Sequence, residues 1–192
     1  MQEMEITEIL NKTGAYKQGH FKLSSGLHSG GYLQCALILQ DPILAERMCG
    51  ALAEKFKGER VDIVVGPALG GIVFAYEMAR ALGAKAMFTE RGAEGKMVLR
   101  RGFLIPSFSK VLVAEDVLTT GKSVKEVLKL LEEDGIKPVG IASLVNRSQE
   151  PLDFGGIKQE SLIKLNIPAF EEAHCPLCEE GLPLVKPGSR KD

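Results

Sequence analysis

The sequence predicts an α/β domain with a mainly parallel central sheet flanked by helices, and a small appendage near the N-terminus. A chain of 192 residues that is 45% hydrophobic suits one domain with a real core. Continuous apolar runs such as 63–65 are typical of strands buried on both faces of a parallel sheet. These runs alternate with helical patterns, as in other α/β domains. We therefore divide the chain into an N-terminal helix and appendage (1–40), an α/β core (41–168) and a C-terminal tail (169–192).

Each element is predicted from its local pattern. Ile6, Ile9 and Leu10 recur at helical spacing in the first helix, and Asp41 followed by Pro42 supplies a cap and a first turn for the second. Helices are predicted over 3–13, from 41, over 71–82 and from 121, and strands at 63–65, at 84–90, in the run that ends at 116, at 139–147 and at 161–167.

Three segments fall outside this alternation. Residues 19–36 are rich in Gly and Ser, which indicates a small extended or hairpin appendage. Residues 90–102 are polar, basic and glycine-containing, and we expect a mobile hairpin there. The tail contains three prolines, so we expect it to wander over the surface.

Charge and hydropathy exclude several classes of protein. A net charge of −1 gives no sign of a nucleic-acid or anionic-membrane partner. No apolar run approaches the roughly 20 residues needed to cross a bilayer, and the acidic start lacks a signal-peptide core. We therefore expect a cytoplasmic protein with neither nucleic acid nor membrane as a partner, and four cysteines without a disulfide framework.

Cys175 and Cys178 form a C-x-x-C motif, which could be half of a zinc site. A structural zinc ion normally needs four ligands, and the sequence has no second C-x-x-C. We favour a proline turn with two free thiols, and we predict no metal ligand among the protein side chains. His20 and His28 are interpreted as surface or capping histidines, with an acid–base role as the alternative.

The segment 111–124 carries the strongest functional signal. Glu115 and Asp116 end a buried strand, and Gly121 opens a helix five residues later. The turn between them is rich in hydroxyls and in backbone N–H groups, which bind phosphate at a helix N-terminus. Paired carboxylates accept hydrogen bonds from the vicinal hydroxyls of a polyol. Together these features predict a sugar-phosphate site.

Two other interpretations of this segment exist. Gly121-Lys122-Ser123 could end a P-loop, but Asp116 stands where the first P-loop glycine belongs and would repel a triphosphate. A capped strand-to-helix turn with two solvated acids is the second alternative.

The segment resembles the signature of the type I phosphoribosyltransferases: an apolar strand, two acids, an apolar pair and T-x-G-x-[ST]. The resemblance implies the fold of that family, with Glu115 and Asp116 on the ribose hydroxyls of phosphoribosyl pyrophosphate (PRPP) and the turn on its 5′-phosphate. The implied PRPP-binding residues are Ala68, Leu69, Gly70, Glu115, Asp116, Val117, Leu118, Thr119, Thr120, Gly121, Lys122 and Ser123.

Residues 66–71, GPALGG, resemble the pyrophosphate loop of the same family. A Gly-rich turn before a helix can present N–H groups to a pyrophosphate, although it could also be an ordinary tight turn. Gly70 stands where orotate-specific members often carry a lysine. That contact must therefore be made by the backbone or by another group.

Two features resemble the orotate-specific members. Residues 19–34 are similar to an N-terminal segment that forms a hood over the base, with Ser24 at a frequent lysine position and Lys22 as its substitute. Arg147 resembles the arginine that pairs with the orotate carboxylate, because a guanidinium grips a carboxylate through two parallel hydrogen bonds. Thr119 is expected to contact orotate as well.

The resemblance also implies a mechanism and partners. The 90–102 hairpin corresponds to the catalytic loop, with Arg91 and Lys96 as the catalytic residues, and in a homodimer it completes the neighbouring site. Mg2+ is the implied cofactor, bound mainly through PRPP, with PRPP and orotate as substrates. The alternatives are transfer to another base, or a regulatory protein of the same fold that senses PRPP.

Overall fold

Two sheets organise residues 1–23 and 25–187, the part of the chain that the computed structural model describes. The strands are β1 (Tyr16–Lys22), β2 (His28–Leu33), β3 (Ile63–Pro67), β4 (Lys85–Arg91), β5 (Met97–Leu99), β6 (Val111–Leu118), β7 (Gly140–Asn146), β8 (Gln159–Lys164), β9 (Ala169–Phe170) and β10 (Leu184–Val185). The α-helices are α1 (Glu3–Lys12), α2 (Ala36–Leu39), α3 (Pro42–Ala53), α4 (Gly70–Leu82), α5 (Lys122–Glu133) and α6 (Pro176–Glu179).

The larger sheet has the strand order β5-β4-β3-β6-β7-β8. All of its neighbouring pairs are parallel except β4 and β5, which form an antiparallel hairpin. Successive side chains of β3 enter different cores: Val64 packs with α1, α3 and α4, whereas Ile63 and Val65 pack with α5. Because side chains alternate between the faces of a strand, helices cover both faces of the sheet. The predicted α/β architecture is confirmed.

Local signals define the helix boundaries. Asp41 Oδ1 accepts hydrogen bonds from the amides of Ile43 and Leu44 at 2.9 and 3.3 Å, and Pro42 occupies the first turn of α3. Helix α4 ends at Gly83, whose φ of +67° is the left-handed conformation that glycine adopts without strain. The predicted cap at Asp41 is therefore confirmed.

The smaller sheet, which we call the hood sheet, has the order β10-β1-β2-β9. The antiparallel pair of β1 and β2 confirms the predicted hairpin. The outer strands come from the tail: β10 pairs parallel to β1, and β9 pairs antiparallel to β2. The expectation that the tail wanders over the surface is therefore wrong for residues 169–185. The hairpin has two edges with unpaired backbone groups, and the tail strands cover two residues of each edge.

The hood sheet lies beside the carboxyl ends of β6 and β7. The Ser29 hydroxyl in β2 donates to the carbonyl of Pro168 at 2.8 Å, and the Arg147 guanidinium, just after β7, donates to the carbonyl of Gly31 at 3.3 Å. These contacts hold the hood over the edge of the sheet where ligands of α/β proteins bind. Within the described residues, no helix is long and apolar enough to span a membrane.

The turn from β3 to α4 depends on close backbone packing. An added Cβ at Gly66 would lie 2.4 Å from the carbonyl oxygen of Gly71 and 2.9 Å from Cβ of Ala75. A side chain at residue 66 would therefore push the 66–71 turn away from the sheet.

We expect Gly66→Ala to lower the free energy of unfolding by about 1–3 kcal/mol, the usual cost of overpacking. Gly50→Ala is the matched control, because an added Cβ there meets nothing within 4 Å and residue 50 lies inside α3. Alanine should stabilise that helix by up to about 1 kcal/mol. Urea denaturation of both variants measures the difference. Equal midpoints would contradict the close packing of the turn.

Candidate active site

A cavity of about 870 Å³ lies between the hood sheet and the carboxyl ends of the parallel strands. Lys22 and Tyr32 line it from the hood, Asp116 from β6, Thr119 from the loop after β6, and Arg147 from just after β7. A smaller cavity of about 140 Å³ is lined by Glu115 and residues 117–123. The two cavities share the loop after β6, so a ligand with two parts can occupy both.

The turn at residues 119–123 forms a cradle at the N-terminus of α5. Gly121 has a φ of +69°, and an added Cβ would lie 2.7 Å from Cζ of Phe154. Glycine is therefore required there both by conformation and by space. The first bond of the helix runs from the amide of Lys125 to the carbonyl of Gly121, at 2.9 Å. The amides before it belong to the first turn, whose donors have no carbonyl partner inside the helix and suit an anion.

Glu115 and Asp116 are half-buried at the end of β6. Burial, reinforced by the neighbouring Asp116 carboxyl, raises the pKa of Glu115 to about 9. Burial also raises the pKa of Asp116, whose Oδ1 accepts a hydrogen bond from the Val117 amide at 3.0 Å. These carboxyls are not the two solvated acids of the alternative interpretation. In the absence of a ligand, the pair retains a proton at neutral pH.

The predicted pyrophosphate loop approaches this acid pair. An added Cβ at Gly70 would lie 2.8 Å from each carboxylate oxygen of Asp116. A lysine at residue 70 would therefore displace Asp116 in this arrangement, which accounts sterically for the glycine. The Leu69 side chain points outward with 84% of its surface exposed, and the Ala68–Leu69 peptide bond is cis. Residues 68–70 line neither of these two cavities, but Gly70 adjoins Asp116, which lines the larger one.

Arg147 is buried, with 5% of its surface exposed, at the boundary between hood and core. Its Nη2 donates to the Ser29 hydroxyl at 3.0 Å and its Nη1 donates to the Gly31 carbonyl at 3.3 Å. Its Nε is buried and has no hydrogen-bond partner among the described residues. None of the ion pairs in this part of the chain includes Arg147. Desolvation lowers the pKa of Arg147, so the site has an unmatched buried cation beside a cavity.

The residues predicted to be catalytic lie away from both cavities. Arg91 pairs with Glu126 of α5 at 2.8 Å and donates to the carbonyl of Gly95 at 2.6 Å. Lys96 pairs with Glu94 at 3.1 Å on the exposed turn between β4 and β5. The hairpin at 90–102 is confirmed as a structural element, and its mobility stays a prediction. In this arrangement the hairpin is not in contact with the cavities of its own chain.

Two further interpretations concern the hood. Ser24 lies outside the described residues, whereas Lys22 lines the larger cavity and pairs with Glu172 at 3.4 Å. The interpretation of His20 and His28 as surface or capping residues is wrong, because they are only 3% and 1% exposed. The hairpin itself was predicted, but its Gly- and Ser-rich sequence gave no sign that both histidines would be buried against the tail.

The chain was compared with known proteins. The phosphoribosyl transferase domain family matches residues 38–155. The orotate phosphoribosyltransferase of Caldanaerobacter subterraneus subsp. tengcongensis is 52% identical over 191 residues, which covers 100% of both chains. The orotate phosphoribosyltransferase of Thermoanaerobacter sp. is 51% identical over 191 residues, again 100% of both.

The fold is also similar to that of solved structures. The crystal structure of orotate phosphoribosyltransferase from Aeropyrum pernix superposes with a TM-score of 0.69 and 24% identity, covering 91% of this chain and 97% of that one. At that identity the likeness establishes the fold alone. It agrees with the fold that the resemblance at residues 111–124 implies.

We expect Glu115→Gln to stabilise the ligand-free protein at neutral and alkaline pH. A carboxyl with a raised folded-state pKa contributes its full stabilisation below its unfolded pKa, near 4.5, and loses it as pH rises towards about 9. Glutamine stays uncharged over this range. The difference in Tm between variant and parent should therefore be small at pH 5 and grow to about 3 °C or more at pH 9.

Thermal unfolding of the ligand-free proteins at several pH values measures this difference. Glu133→Gln is the control, because Glu133 is exposed on α5. If both variants followed the pH profile of the parent, the burial of the acid pair would not limit stability.

Proposed function

The chain belongs to the orotate phosphoribosyltransferases within the phosphoribosyl transferase domain family, and we propose that the cavity beneath the hood sheet is its substrate site. The reaction transfers the phosphoribosyl group of PRPP to orotate and gives orotidine 5′-monophosphate and pyrophosphate, a step of pyrimidine biosynthesis. The observation that carries the assignment of the cavity is Arg147, a buried guanidinium with an unused donor and no carboxylate partner within the described residues.

The proposed PRPP site consists of three adjacent subsites, one each for the 5′-phosphate, the ribose and the pyrophosphate. The 5′-phosphate would bind the turn at 119–123, and the ribose hydroxyls would bind Glu115 and Asp116. Val117 and Leu118 join these two groups and fix their spacing. The pyrophosphate would lie against the backbone of residues 68–70, since Gly70 is packed directly on Asp116. That packing supports a backbone-based contact in place of a lysine.

Orotate would occupy the larger cavity with its carboxylate on Arg147. The guanidinium is already held by Ser29 and Gly31, so it would bind the carboxylate without reorganising. Thr119 lines both cavities and lies between the base and the phosphoribosyl group. The hood strand β2 then closes over the base.

The reaction is a displacement at the anomeric carbon of the ribose. The bond to pyrophosphate breaks and the leaving group takes its electron pair. A ring nitrogen of orotate forms the new bond, and the proton of that nitrogen leaves with the pyrophosphate. A transition state with oxocarbenium character requires positioning and neutralisation of the departing charge, and it requires no covalent nucleophile. We assign the neutralisation to Arg91 and Lys96 of the hairpin.

Mg2+ is the proposed cofactor, bound mainly through PRPP oxygens. The carboxyls of Glu115 and Asp116 are oxygen donors of the kind that a hard cation prefers, and burial raises the pKa of both. When bound, magnesium would neutralise part of the pyrophosphate charge. The side chains of the acid pair would orient the ribose beside it.

We also propose a homodimer in which the 90–102 hairpin completes the neighbouring site. Leu69, Val73 and Tyr76 are exposed at helical spacing on α4, and such an apolar stripe is typical of an interface. The distance of Arg91 and Lys96 from the cavities of their own chain supports a role in the partner's site. A cytoplasmic location stays a prediction.

The activity is tested by following orotate absorbance with PRPP and magnesium, with hypoxanthine, adenine and uracil as control bases. Turnover of orotate alone supports the assignment of the cavity. Turnover of another base would leave the acid pair and phosphate turn in place and overturn the role of Arg147. Binding of PRPP without turnover would favour a sensor.

We expect Arg147→Ala to raise the KM for orotate about 10- to 100-fold, because a charged bidentate contact contributes about 1.5–3 kcal/mol. The KM for PRPP should change much less. Arg60→Ala is the control, since Arg60 is exposed and pairs with Asp62 at 2.8 Å, away from the cavities. Steady-state kinetics with each substrate varied in turn make the comparison. An equal rise in both KM values would exclude a specific contact with orotate.

The trans role of the hairpin is tested by mixing two impaired variants. Arg91→Ala/Lys96→Ala removes the hairpin charges, and Arg147→Ala removes the base contact. The assay uses orotate well below the parent KM, where a KM raised about 10- to 100-fold leaves Arg147→Ala at most about a tenth of the parent rate. In a mixed dimer one of the two sites would have an intact cavity and an intact partner hairpin. We expect a mixture refolded together to recover up to about a quarter of the parent rate, above the rate of either variant alone. A mixture no faster than the average of its parts would place the hairpin in its own chain's site.

A further inference from the structure

Four side chains from opposite ends of the chain meet at the outer side of the hood sheet. His20 lies in β1, His28 begins β2, and Cys175 and Cys178 flank the start of the tail helix α6. Their nearest nitrogen and sulfur atoms all lie within 4.8 Å of one another. None of the four has a role in the proposed reaction.

Four of the six distances between these atoms lie close to the edges of a tetrahedron around one metal ion, and the other two are within 4.8 Å. His20 Nε2 lies 3.0 Å from His28 Nδ1, and the Cys175 Sγ lies 3.6 Å from His20 Nε2. The Cys178 Sγ lies 3.7 Å from His20 Nε2 and 3.3 Å from His28 Nδ1. Zinc bonds of about 2.0 Å to nitrogen and 2.3 Å to sulfur give edges of about 3.3 Å between nitrogens and about 3.5 Å between nitrogen and sulfur. We propose that His20, His28, Cys175 and Cys178 bind one structural zinc ion.

The surroundings orient these ligands. The Nδ1–H group of His20 donates a hydrogen bond to the carbonyl of Leu182 at 2.8 Å, which leaves the Nε2 lone pair directed at the cluster. The Cys178 amide donates to the Cys175 carbonyl at 3.0 Å, and this tight turn brings both sulfur atoms to the same side. A set of two imidazoles and two thiolates in tetrahedral arrangement favours zinc over magnesium or calcium, which prefer oxygen ligands.

Burial supports a structural rather than a catalytic ion. Cys175 is 1% exposed and both histidines are nearly as buried, whereas Cys178 closes the site at the surface. All four positions are taken by protein atoms, so no position remains for a substrate or water. The missing second C-x-x-C, which argued against zinc in the sequence, is replaced by the two hood histidines.

The site would fasten the tail to the hood. The tail strands β9 and β10 each contribute only two residues to the hood sheet, so their pairing alone is weak. His28 is adjacent to Ser29, which holds the Arg147 guanidinium at 3.0 Å. A zinc ion at the cluster would therefore fix both the tail and the strand that positions Arg147.

The first test measures metal in the full chain. Protein purified under reducing conditions, incubated with zinc and passed through a desalting column should hold one zinc per chain. Replacement by cobalt should give thiolate-to-metal charge-transfer bands and the intense visible bands of a four-coordinate ion. These readouts do not depend on phosphoribosyl transfer, so they can fail while the activity stands. A chain that retains no zinc, or a cobalt spectrum of six-coordinate type, would overturn the proposal.

The second test uses variants of the ligands. Cys178→Ser changes the most exposed ligand and should abolish zinc retention, and it should lower Tm by about 5 °C or more. His174→Gln is the matched control, because the His174 side chain is 82% exposed and adjacent to the motif without joining the cluster. It should keep one zinc and the parent Tm.

Three outcomes of this test oppose the proposal. Zinc retained by the Cys175→Ser/Cys178→Ser double variant would place the metal elsewhere. A zinc-free parent with a Cys175–Cys178 disulfide, seen by intact mass, would make the motif a redox pair. An equal loss of zinc from His174→Gln would assign binding to the exposed tail rather than to the cluster.

Discussion

The arrangement of hood, core and cavity depends on one buried guanidinium. Arg147 follows strand β7, and its donors reach across to Ser29 and Gly31 of β2. A buried cation is costly unless its donors are satisfied, so the hood strand must stay where it can accept these bonds. Nε has no hydrogen-bond partner among the described residues, so the guanidinium still lacks an anion. Because Arg147 lines the larger cavity, an anion bound there could supply this missing partner. The same contact therefore fixes the hood strand to the core and holds the guanidinium at the wall of the larger cavity.

The acid pair on the neighbouring strand β6 is a partly buried group of the opposite charge. Glu115 and Asp116 are neighbouring carboxyls that are both partly buried. Gly70 packs closely against Asp116, so the Asp116 side chain cannot move towards the 66–71 turn. The protein therefore stabilises the pair by retaining a proton until hydroxyls or a cation arrive. Burial of these carboxyls lowers the stability of the ligand-free protein, and a substrate with hydroxyls and metal-bound phosphates would restore it. The two side chains are fixed in position but lack partners for their charge.

Local patterns in the sequence predicted most of the core and little of the hood. The Asp41 cap, the buried strand 63–65 and the glycine turn at 121 are each determined by residues close in sequence, and the structure confirms the first two elements and the conformation of the third. The pairing of the tail with the hairpin joins residues more than 100 positions apart, and two-residue strands leave no periodic pattern. The His20–Cys175 contact spans 155 positions, so neither motif alone revealed a four-residue cluster. The partners of Arg91 and Lys96 depend on rotamers at an exposed hairpin, which no pattern determines.

The tail supports the hood strands beside the larger cavity, although few tail residues line that cavity. A two-stranded hairpin is marginal by itself in water, and β1–β2 becomes a four-stranded sheet only when β9 and β10 add to its edges. Ser29 illustrates the coupling: its backbone pairs with Ala169 in β9, its hydroxyl donates to the Pro168 carbonyl, and it accepts from Arg147. If the tail detached from β2, Ser29 would lose the contacts that hold it in place. Arg147 would then lose one of its two hydrogen-bond acceptors. The order of the C-terminal segment and the position of the Arg147 guanidinium are therefore linked through Ser29.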